Sequence, residues 1–377
     1  MRRLLLAAAV LTCAAAPAQA ADGEWLAGDL HVHTTYSHDS YGGPSDDNTG
    51  PDELYTLGWS VGEQFTNAFT RGLDFLAITD HNDIRSQSDP GYGTNGVIPV
   101  PGYENSLEGH AQMLGATKIY DNGDKSAPAV QALADSLRSD GGVFQVNHPA
   151  GGSTDFPNDA DWKLLYDMQP DTVETWNISR LYQPPLPSGS NNDDAIRYWE
   201  GWLDRGAEVA ATGGSDTHWR STFAAQGVGQ PTTWVFARER TTAGILEGLR
   251  EGHTFISHQP PNLGGPGLFL QGEGALVGDE VAPRTRLWVR VERGTGMFLR
   301  LVGTGGTPLG KPVQVTSPWF RYDFKAPGTA PGWVRAELYL PDAADQRRLC
   351  DQQLGAQTTY CRNTLGVTAM TSAIYVR

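Results

Sequence analysis

Apolar residues in the first two-thirds of the chain come in short runs separated by amphipathic stretches. Runs of strand length occupy Ala27–His33, Leu73–Thr79, Val97–Val100, Gln112–Gly115, Val143–Asn147, Thr172–Trp176, Val209–Gly213 and Thr232–Phe236. Helical spacing predicts helices over Gly62–Arg71, Ala127–Ser139, Asn192–Arg205 and Thr241–Glu251. The first three stop at Gly72, Gly141 and Gly206, and a glycine there ends a helix because it accepts a left-handed φ. Strand and helix in alternation predict an α/β domain with a largely parallel sheet that can close into a barrel. The stretch Pro260-Pro261-Asn262-Leu263-Gly264-Gly265-Pro266-Gly267 then reads as a linker. Beyond it, Leu287–Glu292, Met297–Val302, Trp333–Leu340 and Ala373–Val376 read as strands, with a turn at Gly303–Gly306. The expected organisation is an α/β domain over 21–258, a linker at 259–267 and a small antiparallel, sandwich-like β domain over 268–377.

The N-terminus changes the picture of where the protein works. Arg2 and Arg3 precede an apolar run from Leu4 to Ala16, and Ala18-Gln19-Ala20 offers a small-x-small cleavage site. This is the pattern of a secretory signal peptide over residues 1–20, too short for a permanent span of a ~30 Å bilayer core. A periplasmic or extracellular product is expected. With 28 Lys and Arg against 43 Asp and Glu, the formal charge is −15. Such a chain repels nucleic acid and anionic lipid, which need clustered basic residues. Of the 3 cysteines, only Cys350 and Cys361 lie beyond the leader, and in an oxidising compartment the two read as a local disulfide.

Candidate chemistry gathers where strands end. Five places carry it: Asp29-Leu30-His31-Val32-His33, running on to Ser37-His38-Asp39; Thr79-Asp80-His81; Glu104, with His110 opening the next strand; Asn147-His148-Pro149; and Ser215-Asp216-Thr217-His218. Residues i and i+2 of a strand face one side, so His31 and His33, or Asp216 and His218, can grip one ion. Each place taken singly is more commonly a capped turn or an outward-facing side chain. Of the 9 histidines, however, all but His253 and His258 fall in these five places. In parallel α/β sheets the strand carboxyl ends form the functional rim. Imidazole with carboxylate and no thiolate suits Zn²⁺, Mn²⁺ or Fe²⁺. His253, which opens the last strand before the linker, and His258, beside the linker, read as packed or capped.

Together the motifs Asp-Leu-His-Val-His-Thr-x-x-Ser (29–37), Ile-Thr-Asp-His (78–81), Pro-Gly-x-Glu (101–104), Asn-His-Pro (147–149) and Gly-Ser-Asp-x-His (214–218) resemble the polymerase-and-histidinol-phosphatase (PHP) family of metal-dependent hydrolases. They stand in that family's order over roughly residues 25 to 258. The resemblance implies a distorted (β/α)7 barrel with two or three divalent metals. By position, His31, His33, Glu104 and Asp216 would hold the first metal, and His38, His81 and His218 the second. Glu104 would bridge to a third, completed by His110 and His148. Many relatives carry aspartate where His38 stands, and here Asp39 follows it, so either side chain can ligate. The segments Val173-Glu174-Thr175-Trp176-Asn177, Ala211–His218, Glu247–Ser257 and Ile374-Tyr375-Val376 further resemble a secreted, carbaryl-hydrolase-like branch that carries a C-terminal β domain.

The expected activity is ester hydrolysis of a small molecule. Clustered metals lower the pKa of a bound water from ~15.7 toward ~7, which supplies hydroxide without a nucleophilic serine. Phosphoesters come first by the resemblance, and carboxylesters or carbamates are the alternative with the same site. A non-catalytic secreted metal-binding protein is a second alternative, opposed by the complete set of ligand-type residues. A proofreading exonuclease is opposed by both the leader and the charge. Asp80 is a candidate to orient a neighbouring histidine, with capping of its own turn as the competing role. Arg180, with Arg85 and Arg220, is a candidate to meet phosphoryl oxygens. Trp162, Trp176, Tyr182 and Trp219 can line an apolar pocket, with core packing as their stronger role.

Overall fold

The first apolar run forms β1 (Glu24–Val32), buried from Leu26 onward along both faces, as expected of a strand covered on two sides. The computed structural model describes residues 23–40, 58–149, 162–177, 192–218, 227–340 and 367–377. β1 pairs in parallel with β2 (Phe75–Ile78), and β2 with β3 (Ile98–Val100). Gly28 is needed in β1, because a Cβ there would lie 2.3 Å from the Phe75 ring. On its other side β1 runs antiparallel to β9 (Thr232–Ala237), which pairs antiparallel with β10 (Thr254–Ser257).

A second sheet contains β4 (Glu104–Leu107), β5 (Gly109–Leu114), β6 (Val143–Val146), β7 (Thr172–Asn177) and β8 (Ala210–Gly214) in that order. Only β6, β7 and β8 are parallel. β4 and β5 run antiparallel, because the single residue between them permits a hairpin and no crossover, and β5 is antiparallel to β6 as well. The sheets are therefore mixed, not largely parallel.

The two sheets meet at one end through isolated bridges. Glu104 N donates to Thr79 O (3.2 Å) and Asn82 N to Glu104 O (2.8 Å), while His33 N donates to Thr217 O (3.1 Å) and Asp216 N to His31 O (2.8 Å). Elsewhere the edge of β8 is met by side-chain hydroxyls instead of a strand. Gly213 N donates to Thr233 Oγ1, Ala211 N to Ser372 Oγ and Val209 N to the Tyr375 hydroxyl, and Thr254 Oγ1 donates to Ala211 O. Among the described residues there is thus no continuous closed barrel of the (β/α)7 kind.

Helices form close to where their spacing predicts: α1 (Val61–Arg71), α2 (Ala127–Ser139), α3 (Asn192–Asp204) and α4 (Thr242–Arg250). α1 starts in a capping box of Ser60 and Glu63 and ends at Gly72, φ 77°. It buries Val61, Gln64, Phe65 and Ala68, and Gln64 Nε2 reaches His33 O at 2.9 Å, so the helix braces a metal-type turn.

The expected linker at 259–267 does not interrupt the sheet. β10 pairs with the strand Val367–Thr371, which pairs with Gly332–Tyr339, which in turn pairs with Phe298–Gly303 and Ile374–Val376. A separate sheet of Gly267–Gly272, Arg286–Glu292 and Trp319–Lys325 shares an apolar core with those strands. No helix among the described residues is long and apolar enough to cross a membrane. The expected leader over 1–20 and both cysteines of the expected disulfide, Cys350 and Cys361, lie outside the described residues.

Candidate metal centre

The bridges between the sheets bring the five sequence motifs to one place. His31, His33, Asp80 and Glu104 are 0–1 % exposed, and His148 and His218 are buried as well. His31 Nε2 and His33 Nε2 stand 3.1 Å apart. Glu104 Oε2 is 3.3 Å from each, and Asp216 Oδ1 is 3.2 Å from each. Glu104 Oε2 also lies 3.3 Å from His81 Nδ1, while Glu104 Oε1 lies 3.1 Å from His110 Nδ1 and 3.2 Å from His148 Nε2. Asn147 Nδ2 donates to the same Oε1 at 2.8 Å. Beside these, Asp39 Oδ2 lies 2.9 Å from His218 Nε2 and 3.2 Å from His81 Nε2.

Partners of the far ring nitrogens decide what the histidines present. His31 Nδ1 faces Glu174 Oε1 at 2.9 Å, and His218 Nδ1 faces the Asp216 carbonyl at 2.9 Å. Both partners only accept, so these Nδ1 atoms carry the hydrogen when the rings are neutral. His33 Nδ1 lies 3.0 Å from Ser37 Oγ, whose own hydrogen goes to Asp39 Oδ1 at 2.9 Å, which gives the same tautomer. The three Nε2 lone pairs then point inward among carboxylate oxygens. With the rings neutral in these tautomers, the buried Asp216 Oδ1 receives no hydrogen from His31 or His33. Such an all-acceptor cluster needs a cation at its centre. The spacings fit one, since ligands at ~2.0–2.1 Å around a tetrahedral metal stand about 3.3 Å apart.

In the metal-free chain protons do this work. Burial disfavours charge on His31, yet Asp216, Glu104 and Glu174 outweigh it and hold its pKa well above the usual value. For His33, burial is likewise overcome by hydrogen bonds to Asp216 and Glu104, and the pKa rises to about 10. Burial dominates at His81, whose pKa falls to about 4. Burial would raise Glu104 and Asp216, but the surrounding histidines hold both well below the carboxylate range. A raised histidine pKa stabilises the metal-free fold below the unfolded value of ~6.5, and that contribution is lost as pH climbs through about 10. Metal must displace the proton, so its affinity is expected to rise with pH over this window. Calorimetric titrations in buffers of different ionisation enthalpy would count the protons released. None released at pH 7 would contradict the arrangement.

Strain marks the same turns. Asp216 (φ 50°) and His148 (φ 22°) occupy a region that non-glycine residues rarely adopt, at a cost of roughly 1–3 kcal/mol each. The bond from Asp216 N to His31 O and that from His148 N to Glu174 Oε2 (3.0 Å) hold them there. Gly214 leaves no room either: a Cβ would lie 2.3 Å from His31 Cβ and 2.5 Å from Glu174 Oε1. Gly214→Ala is therefore expected to displace His31 and lower metal content. Full metal content and an unchanged melting temperature would contradict that.

Several residues stand elsewhere than expected. His38 is exposed with its ring 5.0 Å from that of His81, and Asp39 takes the place among His33, His81 and His218. Asp80 turns from the histidine rings to the backbone of the β1 turn, accepting from Thr34 N (2.6 Å) and Thr34 Oγ1 (2.8 Å). It caps the turn after β1 and not its own, and the histidines are oriented by Glu174, Ser37 and the Asp216 carbonyl instead. Trp162 and Trp176 are core residues, 3 % and 0 % exposed. His253 packs against Asp279 (3.1 Å) and His258 against the Thr368 carbonyl (3.0 Å), both away from the centre. Arg85 pairs with Asp83 at the surface. Arg180, Arg220, Tyr182 and Trp219 lie outside the described residues. Glu174 was not among the sequence candidates for the site, although it is the one charged residue of the strand Thr172–Asn177, which is buried throughout.

Comparison with known proteins adds a limited outline. A family model described as a protein of unknown function, DUF3604, matches residues 20–91. No curated protein matches the chain. Among solved structures, the chain is similar to a two-domain protein from Bacteroides vulgatus containing a predicted PHP-like metal-dependent phosphoesterase. That match has 18 % identity and a TM-score of 0.44, over 84 % of this chain and 91 % of the other. A protein from Bifidobacterium adolescentis, predicted to be a metal-dependent phosphoesterase, matches with 14 % identity and a TM-score of 0.34, over 54 % and 90 %. At these identities and TM-scores neither likeness carries a function across.

Proposed function

We propose that the protein is a metal-dependent hydrolase of small-molecule esters, with phosphoesters as the first class, acting outside the cytoplasm. One observation carries the reading: four buried acceptor atoms, from His31, His33, Glu104 and Asp216, stand 3.1–3.3 Å from one another in the five separations above. That is the edge length of a tetrahedral site for divalent Zn, Mn or Fe with nitrogen and oxygen ligands at about 2 Å. Asp39, His81 and His218 would hold a second metal, and His110 and His148 a third shared with Glu104. Metals bound there would supply Lewis acidity, polarising the ester oxygen and making water acidic enough to attack near neutral pH.

The chain's own residues prepare the site for that chemistry. Glu174, Ser37 and the Asp216 carbonyl fix three imidazole tautomers, and Glu104 spans all three groups with two oxygens. Burial keeps bulk water from screening these charges. The phosphoester preference rests on the motif resemblance. The test is metal content of the purified protein, with hydrolysis of p-nitrophenyl phosphate, bis-p-nitrophenyl phosphate and p-nitrophenyl acetate before and after chelation. Two to three metals per chain and chelator-sensitive turnover are expected, strongest on a phosphate ester. Faster turnover of the acetate would move the class to carboxylesters, and no metal after reconstitution would remove the reading altogether.

A further inference from the structure

In the segment Val173-Glu174-Thr175-Trp176-Asn177 the buried side chains of Glu174 and Asn177 do more than fix the tautomer of His31. Glu174 and Asn177 are three residues apart, so on a regular strand they would face opposite sides. β7 is not regular. Its register with β8 runs Glu174 to Thr212 and then Trp176 to Gly213, which puts one extra residue on β7. This bulge turns Asn177 to the side of Glu174, and Asn177 Nδ2 donates to Glu174 Oε2 at 3.1 Å.

Three further hydrogen bonds of the pair's carboxylate and amide groups go to residues of the metal centre. Glu174 Oε1 meets His31 Nδ1 at 2.9 Å, and Oε2 accepts from His148 N at 3.0 Å. Asn177 Nδ2 also donates to Asp216 Oδ2 at 3.0 Å. β1, the turn after β6 and the turn after β8 are thus tied through two side chains of a single strand. The tie is anchored in turn, since Asn177 N donates to Asn192 Oδ1 at the start of α3. A carboxylate buried merely to fill space would be satisfied by any local donor. Here three partners beyond the pair itself are ligand-type residues from three separate elements.

We propose that Glu174 and Asn177 are positioning residues that set the mutual spacing of His31, His148 and Asp216 and thereby the metal affinity of the centre. The proposal rests on the metal-site reading above. Glu174 fixes His31 with Nε2 free of hydrogen and holds His148 in its strained backbone conformation. Asn177 holds the Asp216 oxygen that does not face His31, leaving Oδ1 for the ion.

Two variants test it. Glu174→Gln keeps the shape but not the acceptor pair. Its amide nitrogen faces either the two donors from His148 and Asn177, or His31 Nδ1, where it would force the hydrogen onto Nε2. Asn177→Ala removes only the amide. Both are measured as full-length protein by chelator competition for Zn²⁺, by the visible spectrum of the Co²⁺-loaded form and by melting in excess chelator. Zn²⁺ affinity is expected to drop 10–100-fold with shifted Co²⁺ bands in both variants, while the chelator-treated melt of Asn177→Ala stays near the wild-type temperature. Wild-type affinity and an unchanged Co²⁺ spectrum in both variants would overturn the proposal and leave the metal reading intact. If Glu174→Gln does not fold, Asn177→Ala, which changes no charge, decides. A wild-type protein that binds neither Zn²⁺ nor Co²⁺ would instead remove the metal reading itself.

Discussion

Replacing Glu104 by glutamine is expected to strip the centre of metal and to cut kcat/KM for its preferred ester by about 10³-fold or more. Glu104 is 1 % exposed and lies within 3.3 Å of five histidines: His31, His33, His81, His110 and His148. Glutamine preserves its volume, so packing is not the variable. It removes one negative charge where the opposing charges are buried and weakly screened. It also sets an amide N–H₂ against imidazole nitrogens or against the Asn147 donor. Lewis-acid stabilisation of a hydrolytic transition state is worth several kcal/mol, and each ~1.4 kcal/mol is tenfold in rate. Metal analysis and steady-state kinetics on the purified variant check this. A variant that keeps its metals and turns over within tenfold of the wild type would mean that Glu104 bridges nothing.

A chain ending at Leu340 is expected not to fold cooperatively, even though every ligand-type residue of the centre remains. The strand Val367–Thr371 lies between β10 and Gly332–Tyr339, and its loss opens two ladders at once. Met370, Ile374, Tyr375 and Val376 are 0–3 % exposed, and their burial contributes about 6–12 kcal/mol at ~1.5–3 kcal/mol each. That is the size of the whole stability of a typical domain, about 5–15 kcal/mol. The loss also reaches the metal centre. Without Ser372 Oγ and the Tyr375 hydroxyl, the buried N–H groups of Ala211 and Val209 have no acceptor, at ~1–3 kcal/mol each. β8, which leads to Asp216 and His218, then loses its support. Circular dichroism melting and metal content of the truncated protein check this. A cooperative melt near the wild-type temperature would show that the C-terminal strands are an appendage.

Much of the local structure was legible because it is set by short-range physics. α2 runs over Ala127–Ser139 as its spacing predicts, and the other helices differ by one residue at one or both ends. The apolar runs became strands with ends shifted by up to three residues. Strands without such a signature were missed. β4 reads Glu-Asn-Ser-Leu, and its strand state comes from pairing with β5. Gly267–Gly272 begins inside a glycine- and proline-rich stretch that reads as linker. Trp319–Lys325 is held by its ladder to Arg286–Glu292.

The sequence by itself determined which side chains could form a centre. Seven histidines with Glu104 and Asp216 at strand ends are a matter of composition and spacing, and all but His38 converge with donor atoms a few ångströms apart. Only the tertiary structure decided the finer arrangement. Asp39 and not His38 turns inward, because Ser37 Oγ holds Asp39 Oδ1 while bonding His33. Asp80 is drawn to Thr34, and the orienting carboxylate is Glu174, from a strand 143 positions away from His31. The continuity of one sheet from β3 to the C-terminal strands was likewise unreadable along the chain. Alternation and caps act over a few residues. The partner of a buried polar atom is chosen by whichever distant strand the fold sets beside it.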